Sequence, residues 1–97
     1  MNDLPVRWSK RALLNLRAIT IPIGEDNPRA AMRVTERIWS ATEHLSRHPF
    51  IGRVGRIENS SELVFSDIPY VIGYRVFEDH IAIIGVINAA RDWPKRV

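Results

Sequence analysis

Apolar residues at Leu13, Leu16, Ile19 and Ile23 recur in steps of three and four, the period of a helix that buries one face. Ser9 stands just ahead of the run, where its hydroxyl can accept a hydrogen bond from a backbone N–H that the first turn leaves unpaired. Pro22 and Gly24 disfavour continuation, so the first helix is expected over Lys10 to Ile21, with Pro22 as its end or as a kink in its last turn. Asn27 then suits a helix N-cap, and Pro28 suits the first helical position, where its missing N–H costs nothing. Ala31, Val34, Ile38, Ala41 and Leu45 draw a second apolar stripe, with Arg29, Arg33, Glu36, Arg37, Glu43 and Arg47 largely on the other side. Pro49 stops this helix. The pair forms an antiparallel hairpin that needs another layer to cover its stripes.

The pattern changes after Pro49. Phe50 to Ser60 has no sustained period and contains Gly52, Gly55 and Asn59, so it reads as a loop displaying Arg53 and Arg56. Three strand-like runs follow, Glu62 to Ser66, Tyr70 to Phe77 and His80 to Asn88, with turns at Asp67-Ile68-Pro69 and Glu78-Asp79. In the middle run, Tyr70, Ile72, Tyr74 and Val76 share the parity expected to face the core. The last run is apolar on both parities, as in a central strand, and Gly73 and Gly85 leave places on the sheet without a side chain. With the apolar stub Pro5 to Trp8 as an opening strand, the order is β-α-α-β-β-β. The expected fold class is α+β: two layers, with an N-terminal helical hairpin on one face of an antiparallel sheet and the other face partly open to a partner.

Length and composition narrow the picture. Ninety-seven residues suffice for one core, so 1–97 is read as a single domain, and 45% hydrophobic with 26% charged residues describes a chain that folds. The absence of cysteine removes disulfides, thiolate metal sites and a cysteine nucleophile. A cytoplasmic location is the expectation, because the chain shows neither a leader pattern nor an apolar stretch of membrane-spanning length. The net charge of +3 comes mostly from arginine, whose planar fork suits phosphate and carboxylate. A polyanionic or acidic partner is therefore favoured over a membrane, against the plainer reading of arginines that keep helix surfaces solvated. His44, His48 and His80 lack metal-ligand spacing, and no phosphate-cradling glycine loop or nucleophile triad is present, so no metal and no cofactor are expected.

Several strings resemble the RelE/ParE toxin superfamily over nearly the whole chain: Val6-Arg7-Trp8-Ser9-Lys10-Arg11-Ala12, Asp26-Asn27-Pro28-Arg29-Ala30-Ala31, Leu45-Ser46-Arg47-His48-Pro49, Gly52-Arg53-Val54-Gly55-Arg56 with Glu62-Leu63, Pro69-Tyr70-Val71-Ile72-Gly73-Tyr74-Arg75, and Ala90-Arg91-Asp92-Trp93-Pro94. The resemblance implies the toxin half of a type II toxin–antitoxin pair, held inactive by a cognate antitoxin. It also permits a dimer of toxin–antitoxin units. RelE-like members cut messenger RNA on the ribosome, whereas ParE-like members inhibit DNA gyrase without cutting.

The resemblance places Val71, Ile87, Asn88, Ala89 and Ala90 where ribonuclease members carry Arg, His or Tyr. None of these carries a proton near neutral pH, and one missing acid or base costs about 10² to 10⁴ in rate. The ParE-like, non-enzymatic reading is therefore preferred, with a ribosome-dependent endoribonuclease as the alternative. In that alternative Glu62 is the base and Arg53, Arg56, Arg75 and Arg91 clamp phosphate. A homologue that binds antitoxin without toxicity is a third reading. As contacts to target or antitoxin the candidates are Arg53, Arg56, Arg75, Arg91 and Trp93. Against these stand plainer roles: solvated loop arginines, Glu62 in an ion pair with Arg53, Arg56 or Arg75, and a tail of Arg91, Trp93, Lys95 and Arg96 folded back to cap the core.

Overall fold

The computed structural model describes residues 3–94. Along the chain run β1 (Val6–Trp8), α1 (Lys10–Asp26), α2 (Pro28–Arg47), β2 (Arg53–Val54), β3 (Ser61–Val64), β4 (Tyr70–Val76) and β5 (Ile81–Asn88). The sheet order is β1-β5-β4-β3-β2. Two helices on one face of a sheet make the expected α+β, two-layer arrangement. Two details of the sheet differ from the sequence reading. The loop after Pro49 contributes a two-residue edge strand, β2, and β1 runs parallel to β5, so the five-stranded sheet is mixed. The parallel pair is fastened at both ends, by the Ile81 N–H on the Pro5 carbonyl at 2.9 Å and the Ser9 N–H on the Ile83 carbonyl at 3.1 Å.

Both helix starts follow their capping residues. The Ser9 side chain accepts from the Ala12 N–H at 3.0 Å, and the Asn27 side chain accepts from the Ala30 N–H at 3.1 Å. The far end of α1 departs from expectation, since the helix passes through Pro22 and closes only at Asp26, with the Asn27 N–H on the Ile23 carbonyl. Proline removes one ladder bond but not the packing of the last turn, where Gly24 lets α1 approach Ala31 of α2 closely.

The core joins Ala12 and Leu16 of α1 and Ile38, Ala41 and Leu45 of α2 to Ile72, Tyr74, Ile81, Ile83 and Val86 of the sheet. Burying each large aliphatic side chain contributes about 1.5–3 kcal/mol, the term that holds the hairpin on the sheet. Strand β5 changes parity partway. Gly73 pairs with Gly85 but Tyr74 pairs with Ile83, leaving Ile84 as the extra residue of a bulge. Ile81 and Ile83 face the helices before the bulge and Val86 after it, which accounts for the apolar residues on both parities. The Tyr74 hydroxyl accepts from the Gly52 N–H at 2.9 Å, tying the loop before β2 to the core.

Candidate functional site

Pairing register places Arg53, Glu62, Gly73 and Gly85 side by side across four strands, on the sheet face opposite the helices. The two glycines leave a smooth floor. On it lies the Trp93 ring, so close that a Cβ at Gly73 would come within 3.0 Å of the indole and one at Gly85 within 2.7 Å. Asn88 turns the chain back toward this face: its side chain accepts from the Ala90 N–H at 2.9 Å and its carbonyl from the Arg91 N–H at 3.0 Å. The face expected to be open is therefore partly covered by the protein's own C-terminal segment, because an aromatic ring fills the surface the glycines vacate.

Glu62 is the centre of the arrangement and is only 1% exposed. Its Oε1 accepts from Arg53 Nη2 at 2.9 Å and Nε at 3.3 Å. Its Oε2 accepts from the Arg56 backbone N–H at 2.9 Å, Arg56 Nε at 3.1 Å and Trp93 Nε1 at 3.0 Å. Burial alone would raise this carboxyl above its ordinary value, but the Arg56 N–H, Arg53, Trp93 and the Arg56 guanidinium outweigh it and hold the group at about 2. Arg56 also donates to the Arg91 carbonyl at 3.2 Å and reaches the Asp92 carboxylate at 3.4 Å, so the same guanidinium fastens loop and tail.

Arg53, Arg56, Glu62 and Trp93 thus meet at one point, with Arg91 joined through its backbone. Arg75 stands apart. Its guanidinium donates to the Glu58 carbonyl at 3.3 Å and touches no carboxylate within ion-pair distance among the described residues. Lys95 and Arg96 lie outside the described residues. Val71 is buried, Ile87 is half-buried, and Asn88 serves as a turn cap. No group of three or more His, Asp or Glu side chains is placed to share a metal ion among the described residues. Sequence reasoning passed over Lys10 and Arg11, which line one recess with Arg75, and Arg7, which flanks Ala82 across from Arg75. It also passed over Asn15, whose side chain accepts from the Val86 N–H at 3.1 Å beyond the end of β1. Consecutive cations at a helix start were a readable signal for the first group; nothing local marked Asn15.

Comparison with known proteins finds relatives among toxins. A family model described as "ParE toxin of type II toxin-antitoxin system, parDE" matches residues 6–93. The protein Y4kP of Sinorhizobium fredii, which bears the name of a toxin, is 44% identical over 95 residues, covering 98% of each chain. Toxin RelE2 of Caulobacter vibrioides is 38% identical over 86 residues, covering 89% of this chain and 96% of its own. Among solved structures, a chain of the chromosomal ParDE system of P. aeruginosa superposes with a TM-score of 0.78. The match has 19% identity and covers 88% of this chain and 95% of that one, a likeness of fold.

Proposed function

Because the chain belongs to the ParE toxin family and is a toxin of a type II toxin–antitoxin system, we propose that it arrests growth by inhibiting DNA gyrase and is neutralised by a cognate antitoxin. The observation that carries this reading is the state of Glu62. A carboxylate held at about 2 and engaged by five N–H donors is too weak and too enclosed to take a proton from a ribose hydroxyl. Asn88, Ala89 and Ala90 offer no replacement acid or base. An inhibitor that acts by occupying a surface needs none.

Exposed apolar side chains support a protein partner. Val54 is 91% and Phe50 82% exposed, and both lie at the β2 edge of the sheet. A run of this kind beside an unpaired strand edge favours cover by another chain, which suits the antitoxin. Arg91, exposed on the tail, is a contact for carboxylates of gyrase or antitoxin, whereas Arg53, Arg56 and Trp93 act by building the surface. No helix among the described residues is long and apolar enough to cross a membrane.

Induced expression in cells without antitoxin tests the reading. Gyrase inhibition predicts relaxed plasmid DNA with transcripts intact, and the same outcome for Glu62→Gln at a temperature where it folds. Messenger RNA cut at the ribosomal A site, and cutting abolished by Glu62→Gln, would favour the ribonuclease instead.

A further inference from the structure

On the helix-free sheet face, beyond the Trp93 seat, a second group of cations gathers around a recess of about 360 Å³ lined by Ser9, Lys10, Arg11, Arg75 and Ile84. Arg7 and Arg75 both pair with Ala82 and so point to the same side, about 10 Å apart at two strand spacings. Lys10 and Arg11 open α1, where a helix favours carboxylates and disfavours positive charge. None of the four takes part in a salt bridge among the described residues. Among the described residues Arg75 bonds only the Glu58 carbonyl, and the carboxylate that feels Arg7 is Asp79, itself held by His80 at 2.7 Å. Arg37, Arg53 and Arg56, in contrast, are matched by Asp67 and Glu62.

Four cations assembled against their mutual repulsion and against the helix dipole are stabilised by an anion from outside the chain. The lining says which kind. Protein interfaces draw their energy from aromatic and large apolar anchors, and this recess offers Ile84 alone. A single nucleic-acid strand needs a series of rings on which bases stack; Trp93 is committed to Gly73, Gly85 and Glu62, and Phe77, exposed two residues past Arg75, already stacks on His80. Phosphates on a regular backbone need only guanidinium, ammonium, hydroxyl and backbone N–H groups. We infer that Arg7, Lys10, Arg11 and Arg75 form a binding site for the phosphate backbone of duplex DNA, without sequence preference. This goes beyond gyrase inhibition and stands whether or not gyrase is the target.

Fluorescence anisotropy of a labelled duplex DNA, titrated with the full chain across a salt series, tests the site. Binding in the range of roughly 10⁻⁴ to 10⁻⁶ M is expected, weakening with salt at a slope of about −0.9 per phosphate contacted. Arg11→Ala and Arg75→Ala are each expected to weaken binding and to reduce that slope by about 1, while Arg29→Ala, an equal loss of charge on the helical hairpin, leaves both unchanged. Arg11 is exposed, so Arg11→Gln serves if Arg75→Ala fails to fold. No binding at low salt would overturn the site. So would equal losses from Arg29→Ala and Arg11→Ala, or tighter binding of single-stranded RNA or poly-glutamate than of the duplex.

Discussion

Glu62 shows how one side chain can suggest chemistry while holding a loop and a tail together. A glutamate among arginines suggests a base beside a phosphate clamp, yet each of its oxygens is already occupied by donors. The folded value of about 2 lies below the unfolded 4.5, so the carboxylate contributes stability above pH 4.5 that is lost as pH falls toward 2. The difference corresponds to about 3 kcal/mol. Acid unfolding followed by circular dichroism is expected to show this loss over pH 4.5 to 2 and to lack that component in Glu62→Gln. At neutral pH the same substitution is expected to cost about 2–3 kcal/mol in urea unfolding, because a buried amide matches fewer of the five donors and carries no charge. A cost below about 0.5 kcal/mol would place the group on the surface in effect, where ion pairs contribute little.

Elements differ in how much of them can be read from their own residues. Helix α2 was legible end to end because its cap, its stripe and its stop are all local. Helix α1 was not, since Pro22 argues for an end that packing against α2 overrides. Restoring the missing N–H with Pro22→Ala is expected to stabilise the protein by about 1–2 kcal/mol, the ladder bond outweighing the freer unfolded chain. Thermal melting reads the sign. Strand β2 has two residues and exists through its partner β3, so no pattern within it announces a strand. The bulge at Ile84 is likewise set by pairing with β4, whereas the paired glycines were visible as vacancies and the tail as one able to fold back, with no local sign that Trp93 seats on those glycines. Gly85→Ala drives a methyl into the indole and is expected to cost about 1–3 kcal/mol and to release the tail. Limited trypsinolysis at Arg91 should then be faster than in the parent chain, and unchanged cleavage would mean that the ring is not held there.

At the scale of the molecule, the strings that resemble the superfamily survive as contacts or ends of elements: the cap Ser9, the cap Asn27 and the paired Glu62 and Gly73. What they could not convey is direction, because a parallel β1 and a tail folded over the sheet are long-range facts. The assembled protein has two unlike faces. One is an apolar edge around Phe50 and Val54 suited to cover by another chain; the other is a cationic sheet face with its carboxylate locked away. Division of labour between them suits the proposed toxin, which acts by occupying a target surface. The direct measurement is DNA supercoiling by purified gyrase titrated with the full chain, beside translating ribosomes programmed with a defined messenger RNA. Supercoiling that falls with toxin concentration and returns when the cognate antitoxin is added, with the messenger left whole, is the predicted result. Undiminished supercoiling together with cleavage of the messenger on the ribosome would contradict it.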